Sequence, residues 1–225
     1  MYTVSEIIQK LKKYNKKEFH IHHTWSPDLS DFHNWNHYNL QEAMRNYHIY
    51  ERGFPDIAQH VTQFPDGKFL IGRDFENAPA SSKGYRPDGS AWNQDYVFMI
   101  ENVGNFDKEP IPDIVWKNNV QIAAYFVANG GTVRFHNQMD PSKSCPGTKF
   151  DYAKYMTDVK KAVEKEHWAD RHRDNLIRKG IVVFEERYDD PDTRGETFAL
   201  LDRITDDYQK KIDLLQIQLN EIQEK

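Results

Sequence analysis

The chain has 225 residues, enough for one or two domains with a sizeable core, and its 38% hydrophobic and 13% aromatic content excludes a disordered polymer even though the mean hydropathy is -0.85. Thirty basic against thirty-five acidic residues give a net charge of -5, which argues against a nucleic-acid binder that works by neutralising phosphates. No run approaches the ~18 apolar residues of a membrane span, and a single cysteine, Cys145, excludes an internal disulfide and leaves a buried filler, a nucleophile or a metal ligand.

Met1 to Lys17 is lysine-rich without the apolar stretch of a secretory signal, so synthesis is expected to end in the cytoplasm. Thr3-Val-Ser-Glu6 reads as a capping box, and Val4, Ile7, Ile8 and Leu11 follow at helical spacing. Glu18 to Trp25 reads as a strand whose alternation sets Phe19, Ile21 and His23 on one face and His20, His22 and Thr24 on the other. Asn39 with Glu42 caps a predicted helix carrying Leu40, Ala43, Met44 and Tyr47, stopped by Gly53 and Pro55. Ile57 to Phe64 and Lys68 to Arg73 form a hairpin around Pro65-Asp66-Gly67. Asp74 to Gln94 reads as a surface loop and Tyr96 to Ile100 as a buried strand. A helix over Ile114 to Val127 ends at Gly130-Gly131, a strand covers Thr132 to His136, and after the loop Asn137 to Lys149 another helix carries Tyr152, Met156, Val159 and Val163. Strands alternating with helices predict an α/β fold, a mixed central β-sheet flanked by helices, with the domain ending near Glu166.

Residues 167–225 form a predicted helical C-terminal region that holds most of the acidity, with ten basic and fourteen acidic residues. From Leu201 its apolar positions are Leu201, Ile204, Tyr208, Ile212, Leu215, Leu219 and Ile222, a heptad pattern with one stutter. That spacing fits a short coiled coil joining chains into a homo-oligomer, and equally a helix packed on its own domain.

For chemistry, His136 precedes Cys145 by nine residues and both flank a loop leaving a strand end, while His20 and His22 share a strand face. Zinc accepts mixed imidazole and thiolate ligands, and three protein ligands with one open position make a catalytic site. Spacing alone leaves open a zinc site, a Cys/His nucleophilic site and no site at all.

Four motifs occur in order: Ile21-His22-His23-Thr24, the stretch from Phe54 to Gly67 that leads to Ile71-Gly72-Arg73, Ile100 to Asp107, and Lys143-Ser144-Cys145-Pro146-Gly147. Together they resemble the zinc-dependent N-acetylmuramoyl-L-alanine amidases of the type 2 family, relatives of phage lysozyme-like amidases and of peptidoglycan recognition proteins, over roughly Phe19 to Val159. The resemblance implies a Zn2+ cofactor held by His22, His136 and Cys145, with peptidoglycan as partner. It also implies Glu101 as general base and Lys143 as the cation beside the scissile carbonyl. The residues themselves leave room for a structural glutamate and a solvated loop lysine at those two positions. Strand parity admits His20 as well as His22, so the family pattern makes that choice.

Two departures stand out. Gln59 replaces a catalytic tyrosine of phage-type relatives and cannot act as acid or base, which shifts the base role to Glu101. Gly84-Tyr85 stands where many relatives carry a histidine after the glycine. The implied activity is cleavage of the amide between N-acetylmuramic acid and L-alanine, as a phage or prophage endolysin released through a separate pore or as a cytoplasmic enzyme. A non-catalytic peptidoglycan-binding module on the same fold and a Cys/His-dependent amidase are the competing expectations. In the C-terminal region Trp168-Ala169, Gly180-Ile181 and Pro191 to Glu196, ahead of Leu200 and Arg203, resemble one S-layer-homology repeat, which implies wall attachment; a plain helical hairpin accounts for the same residues.

Overall fold

All six residues of strand β1 (Glu18–His23) are buried, in a computed structural model that describes residues 1–80, 94–164, 176, 177, 179 and 194–223. The burial follows from position, since β1 lies between two parallel partners, β4 (Val97–Asn102) and β5 (Thr132–Phe135). The remaining strands, β2 (Val61–Gln63) and β3 (Phe69–Ile71), pair antiparallel with each other, and β2 runs parallel to β4. The sheet order is therefore β3-β2-β4-β1-β5, a mixed sheet in an α/β fold as the sequence predicts. Strands with parallel neighbours on both sides need cover on both faces, which fits the apolar run Val97 to Ile100 of β4, whereas β1 alternates Phe19 and Ile21 with buried histidines.

One face carries Phe19 and Ile21 of β1, Phe98 and Ile100 of β4, and Val133 and Phe135 of β5. It packs on three helices, α1 (Val4–Leu11), α3 (Asp113–Ala128) and α5 (Tyr152–Glu164), through Ile7, Leu11, Ile122, Phe126, Tyr155 and Val159. Phe19 stacks on Phe98 at 6.0 Å and on Phe126 at 5.5 Å, an aromatic seam joining sheet to helix. A second cluster of Met44, Ile57, Phe64, Leu70 and Val103 brings in α2 (His37–Asn46).

Local signals explain most element ends. Thr3 and Glu6 form the expected reciprocal cap on α1. In the hairpin, Gly67 has φ +82° and its N–H donates to Phe64 O at 2.9 Å. A side chain there would also strike Ile114, since a Cβ would lie 2.4 Å from its Cγ1. Helix α3 ends one turn before Gly131, whose N–H returns to Phe126 O at 2.7 Å.

Several boundaries differ from the sequence reading, and the hairpin strands shorten to Val61–Gln63 and Phe69–Ile71. Helix α2 begins two residues before Asn39, at His37, and Asn36 precedes it without a side-chain cap because its amide is committed to His33 and Asp31. The chain continues past α2 in a wider, π-type turn, Tyr47–Glu51. Strand β1 stops at His23 and β4 runs on to Asn102, so Glu101 lies within it. His136 does not finish β5 but opens a short helix, α4 (His136–Met139). Of the predicted surface loop, residues 81–93 lie outside the described residues, including the Gly84-Tyr85 departure.

The structure divides at the C-terminal end of α5 into Met1–Glu164 and Lys165–Lys225. In the second unit, helix α6 (Arg194–Gln223) is 30 residues long, and Lys179 Nζ donates to Asp202 and Asp206 on it at 3.2 and 2.5 Å. Most of the S-layer-like segment lies outside the described residues.

The aromatic seam yields a direct expectation for stability. Phe19→Ala should destabilise the fold by ~3–5 kcal/mol, the usual cost of deleting a buried ring; urea unfolding with a constant slope measures it, and a loss within experimental error would deny the seam its role.

Candidate active site

The face of the sheet opposite the aromatic seam carries His20 and His22 of β1 and Met99 and Glu101 of β4 in register, His22 beside Glu101. At the C-terminal ends of these strands a cleft of about 340 Å³ opens, lined by His22, His23, Trp25, Glu101, His136, Lys143, Ser144 and Cys145. Open α/β sheets commonly place ligands at the carboxyl ends of their strands. All five site residues named from the sequence therefore meet in one cavity, while Gln59 is fully buried elsewhere and donates through Nε2 to Thr62 Oγ1 at 2.9 Å.

His22, His136 and Cys145 form a cluster in which one ligand atom from each lies within 4.8 Å of the others. The rings of His22 and His136 are 4.4 Å apart. His20, the parity alternative, is engaged two residues earlier with Glu18 at 3.2 Å and does not line the cleft. His22 Nε2 is buried without a hydrogen-bond partner, which is uncommon for a buried polar atom and calls for a ligand. Its backbone is fixed by Asn102, whose amide donates to His22 O at 2.8 Å. That amide belongs to a buried network in which Asn119 of α3 donates to Asn102 and Gln63, both at 2.8 Å.

The cysteine is held from several sides. His23 N–H donates to Cys145 Sγ at 3.4 Å, and Asn137 N–H donates to Cys145 O at 2.7 Å. Asp107 brackets the loop by accepting from Ser144 Oγ at 2.6 Å and from Thr148 N–H at 2.8 Å. Gly147, with φ +108°, lets the loop press on Phe106, where a Cβ would sit 2.5 Å from the backbone carbon. His23 completes the clamp, accepting Phe106 N–H at Nδ1 at 3.1 Å, a bond that requires Nδ1 without a proton.

Burial sets the electrostatics. It holds the His22 imidazole well below its usual pKa, with His136 adding to the effect, and lowers His136 also. His23 falls to about 4 for the same reason. Burial pushes Glu101 up to about 8, and it raises the Cys145 thiol well above its usual value, assisted by the Glu101 carboxylate. Neutral imidazoles are the form that binds metals.

Four contributors were not singled out from the sequence: His23, Ser144, Asp107 and Trp25. Trp25 follows the His22-His23-Thr24 run with φ +59°, a left-handed conformation that is an outlier for a bulky residue, and it remains 59% exposed in the cleft.

No protein-family model matches the sequence, and no curated protein matches it. Solved structures do resemble the fold. Peptidoglycan recognition protein-LE, in complex with tracheal cytotoxin, is 24% identical with a TM-score of 0.50 over 64% of this chain and 81% of that one. The Apis mellifera peptidoglycan recognition protein SA is 17% identical with a TM-score of 0.50, covering 63% and 82%. The N-acetylmuramoyl-L-alanine amidase LysC from Clostridium intestinale is 18% identical with a TM-score of 0.48, covering 65% and 87%. The first two likenesses establish the fold as that of the peptidoglycan recognition proteins, the fold that the ordered motifs imply.

The raised thiol pKa has a measurable consequence. A cysteine above its usual pKa is protonated at neutral pH, so alkylation of the metal-free protein should be slow there and should still be accelerating beyond pH 9, where an ordinary cysteine levels off. Mass spectrometry after timed iodoacetamide exposure reads this; a rate that levels off near pH 9, as for an ordinary cysteine, or below it would contradict it.

Proposed function

We propose that the chain is a zinc-dependent N-acetylmuramoyl-L-alanine amidase that cleaves the amide between the lactyl group of N-acetylmuramic acid and L-alanine in peptidoglycan. The observation that carries the reading is the convergence of His22, His136 and Cys145 beside Glu101 in one cleft. Two imidazoles and a sulfur suit zinc, and the orphaned Nε2 of His22 fits a metal ligand. A protein of the same fold has been seen bound to monomeric diaminopimelic acid-type peptidoglycan, which supports the substrate class.

When bound, zinc supplies a Lewis acid for the scissile carbonyl and brings the pKa of a coordinated water toward ~7. Glu101 takes the proton of the attacking water and delivers it to the departing amine of L-alanine. Its position suits both transfers, because burial raises the proton affinity of the carboxyl while a neighbouring cation lowers it. Lys143, at the cleft wall, offsets the negative charge that develops on the carbonyl oxygen. His22 and His136 would hold the zinc as neutral ligands and Cys145 as an anionic one. A nucleophilic Cys145 would need a depressed pKa, and burial here acts in the opposite direction. Glu101, a strand residue whose carboxyl lines the cleft, favours hydrolysis over binding alone. Within this reading the enzyme acts on the cell wall as a phage-type endolysin.

The test combines two variants of the full chain. His136→Ala should lose zinc on metal analysis, and Glu101→Gln should keep zinc and fold while losing ~100-fold or more in turnover on isolated cell walls, the scale of a missing acid–base group. Full zinc occupancy in His136→Ala, or near-parental release of L-alanine amino termini by Glu101→Gln, would sink the assignment.

The second unit enters this reading as an assembly element. Along α6, Leu201, Ile204, Tyr208, Ile212, Leu215 and Leu219 remain 41 to 63% exposed, and Leu214 and Ile217 beside them are exposed as well. Each leucine or isoleucine covered contributes ~1.5–3 kcal/mol, so pairing with α6 of a second copy accounts for the stripe. Joined copies gain avidity for a polymeric wall without new contacts. Light scattering should give more than one chain per particle, and Ile212→Glu with Leu215→Glu should give monomers; a parental monomer at micromolar concentration would end this proposal.

A further inference from the structure

Trp25 has no explanation in the fold. Its φ of +59° suits glycine and strains a bulky L-residue, while 59% exposure means that its indole recovers little by burial. The backbone conformation is nonetheless firmly held. Trp25 N–H donates to Gly104 O at 3.1 Å. Thr24 beside it donates through N–H to Asn102 O at 3.0 Å, and its Oγ1 accepts Gly104 N–H at 3.0 Å and donates to Pro27 O at 2.5 Å. The chain is thus tied down on both sides of an exposed ring that the tie does not need.

What the ring faces supplies the reason. The other residues lining the cleft are histidines, Glu101, Lys143, Ser144 and Cys145, so Trp25 provides its one broad apolar surface among the described residues. A pyranose ring is matched to such a wall. Its C–H faces are apolar and flat, and its hydroxyl edges are polar, so one face lies on an aromatic ring while the edges meet hydrogen-bonding groups. The stem peptide of peptidoglycan begins with alanine and an acidic residue and offers no comparable flat face.

We propose that the Trp25 indole is the platform on which the N-acetylmuramic acid ring stacks, fixing on which side of His22, His136 and Cys145 the glycan lies. This rests on the amidase reading and adds to it a residue that selects the sugar side of the scissile bond. Holding the backbone that carries the ring lowers the ordering cost of binding, which is what the tie to Gly104 secures.

Calorimetric titration of the full chain in a Glu101→Gln background, which leaves ligand uncleaved, tests it with two probes: an N-acetylmuramyl tripeptide and the same tripeptide without sugar. Trp25→Ala should bind the muramyl probe roughly tenfold more weakly, the order expected for losing one stacked ring face, and Trp25→Phe should recover most of the loss. Affinity for the bare tripeptide should not change. Trp25→Gly should unfold at no lower temperature than its parent, because the left-handed backbone is relieved, and should show the same loss of muramyl binding. Parental affinity of Trp25→Ala for the muramyl probe overturns the platform and leaves the amidase reading intact, as does an equal loss for both probes. A parent that binds neither probe overturns both.

Discussion

The parallel pairing of β1 with β4 on one side and β5 on the other is the constraint on which the rest depends. It buries Glu18 through His23 completely, so the alternation of a strand has to sort aromatic from ionisable residues onto opposite faces. Phe19 and Ile21 join the helices, and His20 and His22 go to the other side. Because the β1–β4 register is parallel, His22 is brought level with Glu101, and the shorter β5 ends early enough for His136 to turn into the cleft from the start of α4. A slip of one residue would send His22 onto the aromatic face and Phe19 onto the opposite one. The hydrophobic core therefore fixes the chemical geometry, and the site inherits its precision from packing at some distance.

The same arrangement creates an electrostatic debt. Three histidines, a glutamate and a cysteine are wholly or partly withdrawn from water within one small volume, and burial drives every one of them toward its neutral form. Neutralisation limits the cost but leaves polar atoms such as His22 Nε2 without partners. A dication removes both problems at once, accepting the lone pairs and stabilising thiolate and carboxylate, so its binding free energy would add to folding stability through linkage. That coupling supports the proposed metal site over a cluster of structural histidines. The contrast with His60 is instructive. His60 is equally buried, but Met99 N–H donates to its Nδ1 and Asn77 O lies 2.8 Å from its Nε2, so both nitrogens are satisfied and nothing more is required.

Much of this was legible in the residues because the signals were local. The Thr3–Glu6 box, the turn at Gly67 and the glycine stop after α3 are short-range chemistry, and each does its predicted work. Alternation gave the faces of β1 but could not separate His20 from His22, because parity is identical; the choice depends on where the strand ends relative to its neighbours and on Glu18 occupying His20. Asn39 looked like a cap because residue type and spacing fit, yet the helix starts at His37 once the Asn36 amide is drawn back to His33 and Asp31. Asp107 was invisible as a support, since its contacts with Ser144 and Thr148 span 37 and 41 residues. Trp25 was equally hidden, because no residue type announces a left-handed backbone in a tryptophan.

The two regions around the cysteine show how a loop acquires the rigidity of a strand. A metal ligand on a loop is ordinarily less precisely placed than one on a regular element. Here the segment from α4 to Phe150 is tied by the Lys149 N–H bond to Phe106 O, by the Asp107 carboxylate and by the sulfur's own contact with β1 through His23 N–H. The clamp runs through His23, whose Nδ1 must stay unprotonated to accept Phe106 N–H, and burial maintains that state by holding its pKa near 4. The residue next to a proposed ligand thus performs a structural task that depends on its being uncharged. Adjacent histidines in the His22-His23 pair are consequently not interchangeable: parity gives one to the cleft cluster and the other to the clamp.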